Sequence, residues 1–276
     1  MNSLANKVAI CTGSGRTDGL GAAILRRLAA AGCQVVITDI GEPAGLLSDS
    51  DIGASKGMEE VAAELRAAGG ECISVACDVR DPASVQNLMD ETMKAFGRID
   101  ILVNNAGVGY LMQDFREVTL EEWQLVMDVN LTGAFLCTQA AAEHMIAGGN
   151  GGRIINIASQ AAKSGFPHLA AYVASKHGLI GLTRSNAVEL GQHAITVNAV
   201  CPNHVTTGLG AKQNEYYSRL QGKTLEEFMQ AMRERIPLGR PGLPEDTANA
   251  VAFLATDEAC YITGEAMNVS GGEEMH

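Results

Sequence analysis

Aromatic side chains are scarce in this chain: they make up 4% of 276 residues, with a single tryptophan. Any core must therefore be filled chiefly by Ala, Val, Ile and Leu. Positive charge is also in deficit, with 20 Lys and Arg against 32 Asp and Glu and a formal net charge of −12. Nucleic acid and anionic lipid both need a positive surface, so neither is expected as the main partner. No stretch holds 18 consecutive apolar residues, so no membrane span is expected. The opening residues, MNSLANKVAICTG, lack the charged segment and long apolar run of an export signal. The seven cysteines form no CxxC pair, and the six histidines show no HExxH or other metal-ligand spacing. Buried thiols in a reducing compartment, and no structural metal, are the expectation. These absences point to a soluble cytoplasmic protein.

What is present is a rhythm. The chain is 46% hydrophobic with 31 glycines, a composition suited to many tight strand-to-helix turns. Strand-like runs at 8–12, 34–39, 72–76, 101–104, 153–158, 196–200 and 266–269 alternate with amphipathic stretches near 20–31, 57–68, 83–96, 120–147, 170–192 and 245–256. Seven strands spaced by helices predict a parallel sheet covered on both faces, since parallel strands need crossovers. Right-handed crossovers make the expectation an α/β, Rossmann-type, doubly wound seven-stranded sheet. The length lies near the upper limit for one core, so a single domain over 1–276 is expected. Two segments break the rhythm: a turn-rich link at 40–57 and a polar and aromatic excursion at 206–237. Such excursions serve either as functional lids or as surface decoration.

The first strand runs into Thr12-Gly13-Ser14-Gly15-Arg16-Thr17-Asp18-Gly19-Leu20-Gly21. Glycines allow a tight turn and let backbone amides approach a pyrophosphate at a helix N-terminus. Any sharp turn uses glycine, so the cluster gains meaning from its place in the first strand–helix–strand unit. Asp39 ends the second strand, where a carboxylate can bond the adenosine ribose hydroxyls and repel a 2′-phosphate. NAD is expected over NADP, with Arg16 as the dissenting residue because a basic group there could meet such a phosphate.

Tyr172 and Lys176 stand four apart in a helical stretch and so share a face. A neighbouring ammonium and an oxidised nicotinamide both favour phenolate, which would bring a tyrosine into working range as an acid/base. The bland alternative is a packed tyrosine beside an exposed lysine. Ser159 ends the fifth strand, the end at which ligands sit in parallel sheets, and can hold a substrate oxygen.

Together with Cys77-Asp78-Val79, Asn104-Asn105-Ala106-Gly107, Asn130 within Asp-Val-Asn-Leu, Pro202-x-x-Val205-x-Thr207 and Gly271-Gly272, these motifs resemble the short-chain dehydrogenase/reductase family from residue 5 to residue 272. The resemblance implies roles. Tyr172 becomes the proton donor or acceptor, Ser159 orients the substrate oxygen, and Lys176 binds the nicotinamide ribose and tunes Tyr172. Asn130 holds a water in the proton path. Gly13, Gly15, Arg16, Gly19 and Leu20 form the dinucleotide turn, Asp78 meets the adenine amino group, and Val79 supplies a backbone contact. Asn105, Ala106 and Gly107 line the adenosine side. Pro202 joins the cofactor contacts, and Val205 and Thr207 hold the carboxamide. Asn104 is expected to brace the sheet.

Two departures stand out. Five residues rather than three separate Gly13 from Gly19, and Asn203 replaces the family's glycine after Pro202. The 40–57 link is longer than usual and could cover the adenosine end and slow cofactor exchange. Gln160, His168, Asn203, His204 and Tyr216 are candidates to face the substrate, and their polarity suggests a small polar hydroxylated metabolite such as a sugar, polyol or hydroxy acid. The resemblance implies pairing of the helices at 120–147 and 170–192 between subunits, and so a homo-oligomer, a tetramer or dimer; the alternative is that both simply pack on the sheet. The competing readings are a 3-oxoacyl carrier-protein reductase and a nucleotide-binding scaffold without catalysis.

Overall fold

The computed structural model describes residues 4–43, 45–47, 52–109 and 111–276, with Leu209 by its backbone alone. Among the described residues, strands β1 (Val8–Thr12), β2 (Gln34–Asp39), β3 (Cys72–Ala76), β4 (Ile101–Asn104), β5 (Gly152–Ile157), β6 (Ile195–Pro202) and β7 (Ala266–Val269) form one sheet in the order β3-β2-β1-β4-β5-β6-β7. Every neighbouring pair is parallel. The continuous apolar run of β1 is buried at every position, as a central strand covered on both faces requires. The strand order reverses between β1 and β4, and a doubly wound sheet opens its ligand crevice there.

Helices α1 (Leu20–Ala30), α2 (Ser55–Ala67), α3 (Pro82–Phe96), α4 (Leu120–Met127), α5 (Gly133–Gly148), α6 (Ala170–Leu190), α7 (Gly208–Leu220), α8 (Leu225–Arg235) and α9 (Pro244–Ala255) surround the sheet. Leu25 and Leu28 of α1, Val61 and Leu65 of α2, and Val251 of α9 pack with Ala9, Val35 and Val103 on one face. Leu88 and Met89 of α3, Leu125 of α4 and Met145 of α5 pack with Ile10, Val36 and Ile154 on the other. Local chemistry sets the ends: Asp81 caps α3 by accepting from the Ala83 amide with Pro82 next in line, and Gly97 closes it at φ 73°.

Three expectations change. The stretch at 120–147 is interrupted at Asp128–Thr132 by a π-helical turn, the kind of insertion that recurs at functional sites. β6 extends beyond 196–200 to Pro202 because all eight of its residues are buried. The 206–237 excursion is α7 and α8, started by Thr207 and by a Thr224–Glu227 capping box. The stretch Leu120–Gly148 is long and apolar enough by composition to cross a membrane, yet 56% of its most apolar window is buried inside the protein, as for a core helix. Of the 40–57 link, residues 44 and 48–51 lie outside the described residues.

Candidate active site

A cleft runs along the carboxyl ends of the strands, and its floor starts at the glycine turn. Gly13 adopts φ +65°, and a Cβ there would lie 2.7 Å from the Ala106 backbone, so only glycine fits. Thr12 Oγ1 accepts from the amides of Asn105 and Ala106, each at 3.0 Å. Asn105 Nδ2 donates to the Thr12 and Gly13 carbonyls at 2.8 Å, clamping the turn to the end of β4. No side chain caps α1 at Gly19, so its first turn is open to an anion. Gly13, Arg16, Gly19, Leu20, Asn105, Ala106 and Gly107 line the cleft.

Gly15 does not. Its amide donates to Asp39 Oδ2 at 3.0 Å, and a Cβ there would meet Met58 at 2.7 Å and Gly53 at 3.0 Å. Its amide is thus engaged by Asp39 and it packs against the 40–57 link, where the sequence reading expected a cofactor contact. Asp39 Oδ1 accepts from the amides of Ile40 and Gly53, both at 3.0 Å. Burial pushes the Asp39 carboxyl above its ordinary range, against these amides and the Arg16 guanidinium. Asp78 and Val79 line the cleft as expected, but the Asp78 carboxylate is gripped by the Arg80 fork at 2.6 to 3.1 Å. Against the upward push of burial, Arg80 holds the Asp78 carboxyl below its usual value. Arg80 was not among the expected site residues; nothing in its sequence context marks it.

At the other end, Tyr172 and Lys176 stand one turn apart on α6, and Ser159 meets them from the end of β5. Lys176 Nζ donates to the Ile157 carbonyl at 2.7 Å and lies 5.6 Å from the Tyr172 ring centroid. Burial drops the Lys176 ammonium to about 8. Burial also pushes the Tyr172 phenol up, opposed by its hydrogen bond with Ser159. Within the chain itself, Ser159 rather than the Lys176 ammonium is the group that opposes this rise.

Asn130 lies behind the cleft wall. Its Oδ1 accepts from the Val108 amide at 2.8 Å, and its Nδ2 donates to the Val108 carbonyl and to Ser175 Oγ at 3.0 Å. Ser175 in turn donates to the Tyr172 carbonyl at 2.8 Å. The side chain thus braces α6 against the loop after β4, close to Lys176: a Cβ on Gly107 would lie 3.4 Å from Asn130 Oδ1 and 3.6 Å from Lys176 Nζ. Asn104 braces the sheet as expected, donating to Asn156 at 2.8 Å.

A family model described as enoyl-(acyl carrier protein) reductase matches residues 13–274. A Synechocystis protein named 3-oxoacyl-(acyl-carrier-protein) reductase is 40% identical over the whole of both chains. The Escherichia coli 2-dehydro-3-deoxy-D-gluconate 5-dehydrogenase is 37% identical, covering 98% of this chain and 96% of its own. The chain belongs to the short-chain dehydrogenase/reductase family. Among solved structures, carveol dehydrogenase from Mycobacterium avium, in complex with NAD, superposes with a TM-score of 0.91 at 32% identity over 99% of each chain. The family consists of oxidoreductases that use a nicotinamide cofactor.

In this short-chain dehydrogenase/reductase the third wall of the cleft comes from the turn after β6 and from α7. Pro202, Asn203, His204, Val205 and Thr207 line it, with Gln160 opposite. Val205 pairs with Gly242 in a short bridge, and Thr207 caps α7 by accepting from Gly210 at 3.3 Å. Burial pulls the His204 imidazole below its ordinary value; Glu273 opposes this and Arg235 reinforces it. Two of the expected substrate contacts fall elsewhere. His168, at φ 64°, meets the Tyr216 hydroxyl at 2.6 Å, and neither is on the cleft wall. They tie the 166–169 loop to α7, while Tyr217 lines the cleft and donates to the Pro167 carbonyl at 2.7 Å. Gln213 of α7 adds a third tie, to the Gly109 carbonyl at 3.0 Å.

Proposed function

We propose that this protein is an NAD-dependent dehydrogenase that interconverts a secondary alcohol on a small polar hydroxylated metabolite and its ketone. The observation that carries the reading is the meeting of Tyr172, Ser159 and Lys176 on the wall of the cleft whose floor is the glycine turn. The turn fits a dinucleotide: Gly13, Gly19 and Leu20 line the cleft, and the start of α1 is left without a side-chain cap, so its backbone amides can meet a phosphate. Asp39 supports NAD over NADP, since a carboxylate there repels a 2′-phosphate. Bound nicotinamide supplies the hydride acceptor or donor.

The chain's own groups do the rest. Ser159 holds the substrate oxygen against the Tyr172 hydroxyl. As the carbinol carbon loses its hydride, Tyr172 as phenolate takes the O–H proton; in reduction it returns the proton to the forming alkoxide. Lys176, anchored on Ile157, presents its ammonium to the nicotinamide ribose hydroxyls. Asn130 is a positioning residue acting through Ser175. The Gly13–Leu20 turn with Asn105, Ala106 and Gly107 receives the adenosine and diphosphate. Pro202, Val205 and Thr207 receive the carboxamide. Tyr172→Phe is the test: kcat for alcohol oxidation should fall by about 10²–10⁴ while NAD binding by fluorescence titration is retained. Unimpaired turnover would end the proposal.

A 3-oxoacyl carrier-protein reductase is the competing reading, supported by the name of the Synechocystis relative. The net charge of −12 argues against an acidic carrier as partner. The reading also includes a homo-oligomer working in the cytoplasm as a single domain. Leu47 and Ile52, buried on the cleft wall at its adenosine end, together with the Gly53 amide on Asp39, support a link that slows cofactor exchange. Stopped-flow displacement of bound NAD measures this directly, and rapid exchange removes it.

A further inference from the structure

The polar side chains at the reacting end of the cleft include two amides, and a carboxylate stands behind each. Gln160 follows the end of β5 and Asn203 the end of β6, so neighbouring strands deliver both to the cleft. Glu274, only 7% exposed, accepts from Ser164 Oγ at 2.8 Å and from Gln160 Nε2 at 3.4 Å. Glu273 accepts from Asn203 Nδ2 and from Arg235 Nε. The Ser164 hydroxyl holds the Glu274 carboxyl below its ordinary value, against burial, so it is ionised at neutral pH.

An ionised carboxylate can only accept, which fixes the direction of both amides: each NH2 turns to its glutamate. The carbonyl oxygens, Gln160 Oε1 and Asn203 Oδ1, are left without a partner among the described residues. Three of the cations near this end are engaged, Arg235 by Glu273, Lys163 by the Ala266 carbonyl and Lys176 by the Ile157 carbonyl, the last two at 2.7 Å. The reacting end thus offers acceptors backed by negative charge.

We propose that this end selects a neutral substrate with a second hydroxyl on the carbon next to the carbinol, a vicinal diol or its α-hydroxyketone. The second O–H donates to the carbonyl of Gln160 or Asn203, while Tyr172 and Ser159 hold the reacting oxygen. A carboxylate at the same position meets two acceptor oxygens with Glu273 and Glu274 behind them and is turned away. A 3-oxoacyl thioester, which offers only acceptors beyond its ketone, is disfavoured for the same reason. The inference rests on the reading of the site as a secondary-alcohol dehydrogenase. Lys212 also lines the cleft from α7 and is the group through which an anionic substrate would be read instead.

The experiment compares 2,3-butanediol, 2-butanol and lactate as substrates of the purified protein at saturating NAD, following NADH formation. The expected result is a kcat/KM for the diol about tenfold or more above both others, the value of a hydrogen bond in a site built for it. In Glu274→Gln, which frees the Gln160 amide to turn over, and in Gln160→Leu, the diol-to-monoalcohol ratio should fall toward one. Thermal unfolding of each variant separates misfolding from lost selectivity, and the wild-type arm needs no variant. Equal kcat/KM for all three compounds, or lactate preferred, overturns this proposal and leaves the dehydrogenase reading standing. If none of the three is oxidised although NAD binds, both fall together.

Discussion

At the scale of single residues, the site depends on two buried titratable groups that burial drives toward neutrality. On the proposed mechanism, alcohol oxidation needs Tyr172 as phenolate, whereas carbonyl reduction needs it as phenol. Burial raises this phenol and Ser159 opposes the rise. With NAD saturating, oxidation should therefore climb with pH into the alkaline range, while reduction holds and then declines. Ser159→Ala should move the rising limb to higher pH; a limb that stays in place would remove Ser159 from the acid–base pair. Lys176 makes a separate claim on stability. Its ammonium falls from 10.5 to about 8 on folding, so the unfolded chain binds more protons between those values. The cofactor-free protein carries this penalty in full below about pH 8 and loses it as pH rises toward 10.5. The buried cysteines, whose thiols burial raises, titrate in the opposite sense, so the effect is read as a difference. Denaturant unfolding of wild type and Lys176→Met should show the gap in the variant's favour narrowing across this range, and a constant gap would refute it.

At the scale of elements, the described part of the 40–57 link meets the glycine turn at Gly53, whose amide donates to Asp39 and whose Cα packs against Gly15. A Cβ on Gly53 would lie 2.6 Å from the Gly15 Cα and closer still to the Asp39 carboxylate. Gly53→Ala should push the link off Asp39, speed NAD release several-fold and cost about 1–3 kcal/mol of stability, the usual price of overpacking. Stopped-flow release with a denaturation curve checks both; unchanged release with intact folding would show that the link does not gate the cofactor. The seven strands and seven of the nine named helices, α4 and α5 as one stretch, were legible because an apolar run or a 3.6-residue repeat is a local property of the chain. α7 and α8 were not, since among the described residues α7 buries only the polar Ser218 and α8 only Phe228 and Met232. Their polarity reads as loop until their capping threonines and the ties to 109 and 167–168 are seen.

At the scale of the whole molecule, helices α5 and α6 present a shallow groove lined by Leu131, Phe135, Gly178, Gly181 and Leu182. Phe135 is 44% exposed there and Val188, farther along α6, 84%. Two-fold pairing of this face would bury both and is consistent with the expected homo-oligomer. Light scattering on the eluting protein should give a dimer or tetramer mass, and Phe135→Glu should shift it downward. A monomeric wild type would exclude the pairing.

The sequence alone determined the sheet, the dinucleotide turn and the Tyr172–Lys176 spacing, because each is written within a few consecutive residues. Only the tertiary structure decided which polar groups share the cleft. Glu273 and Glu274 meet Asn203 and Gln160 across about 70 and 114 positions of chain. Arg80 takes Asp78, and Gly53 reaches Asp39. Such meetings follow from strand order and loop path, and neither leaves a periodic signal in the residues themselves.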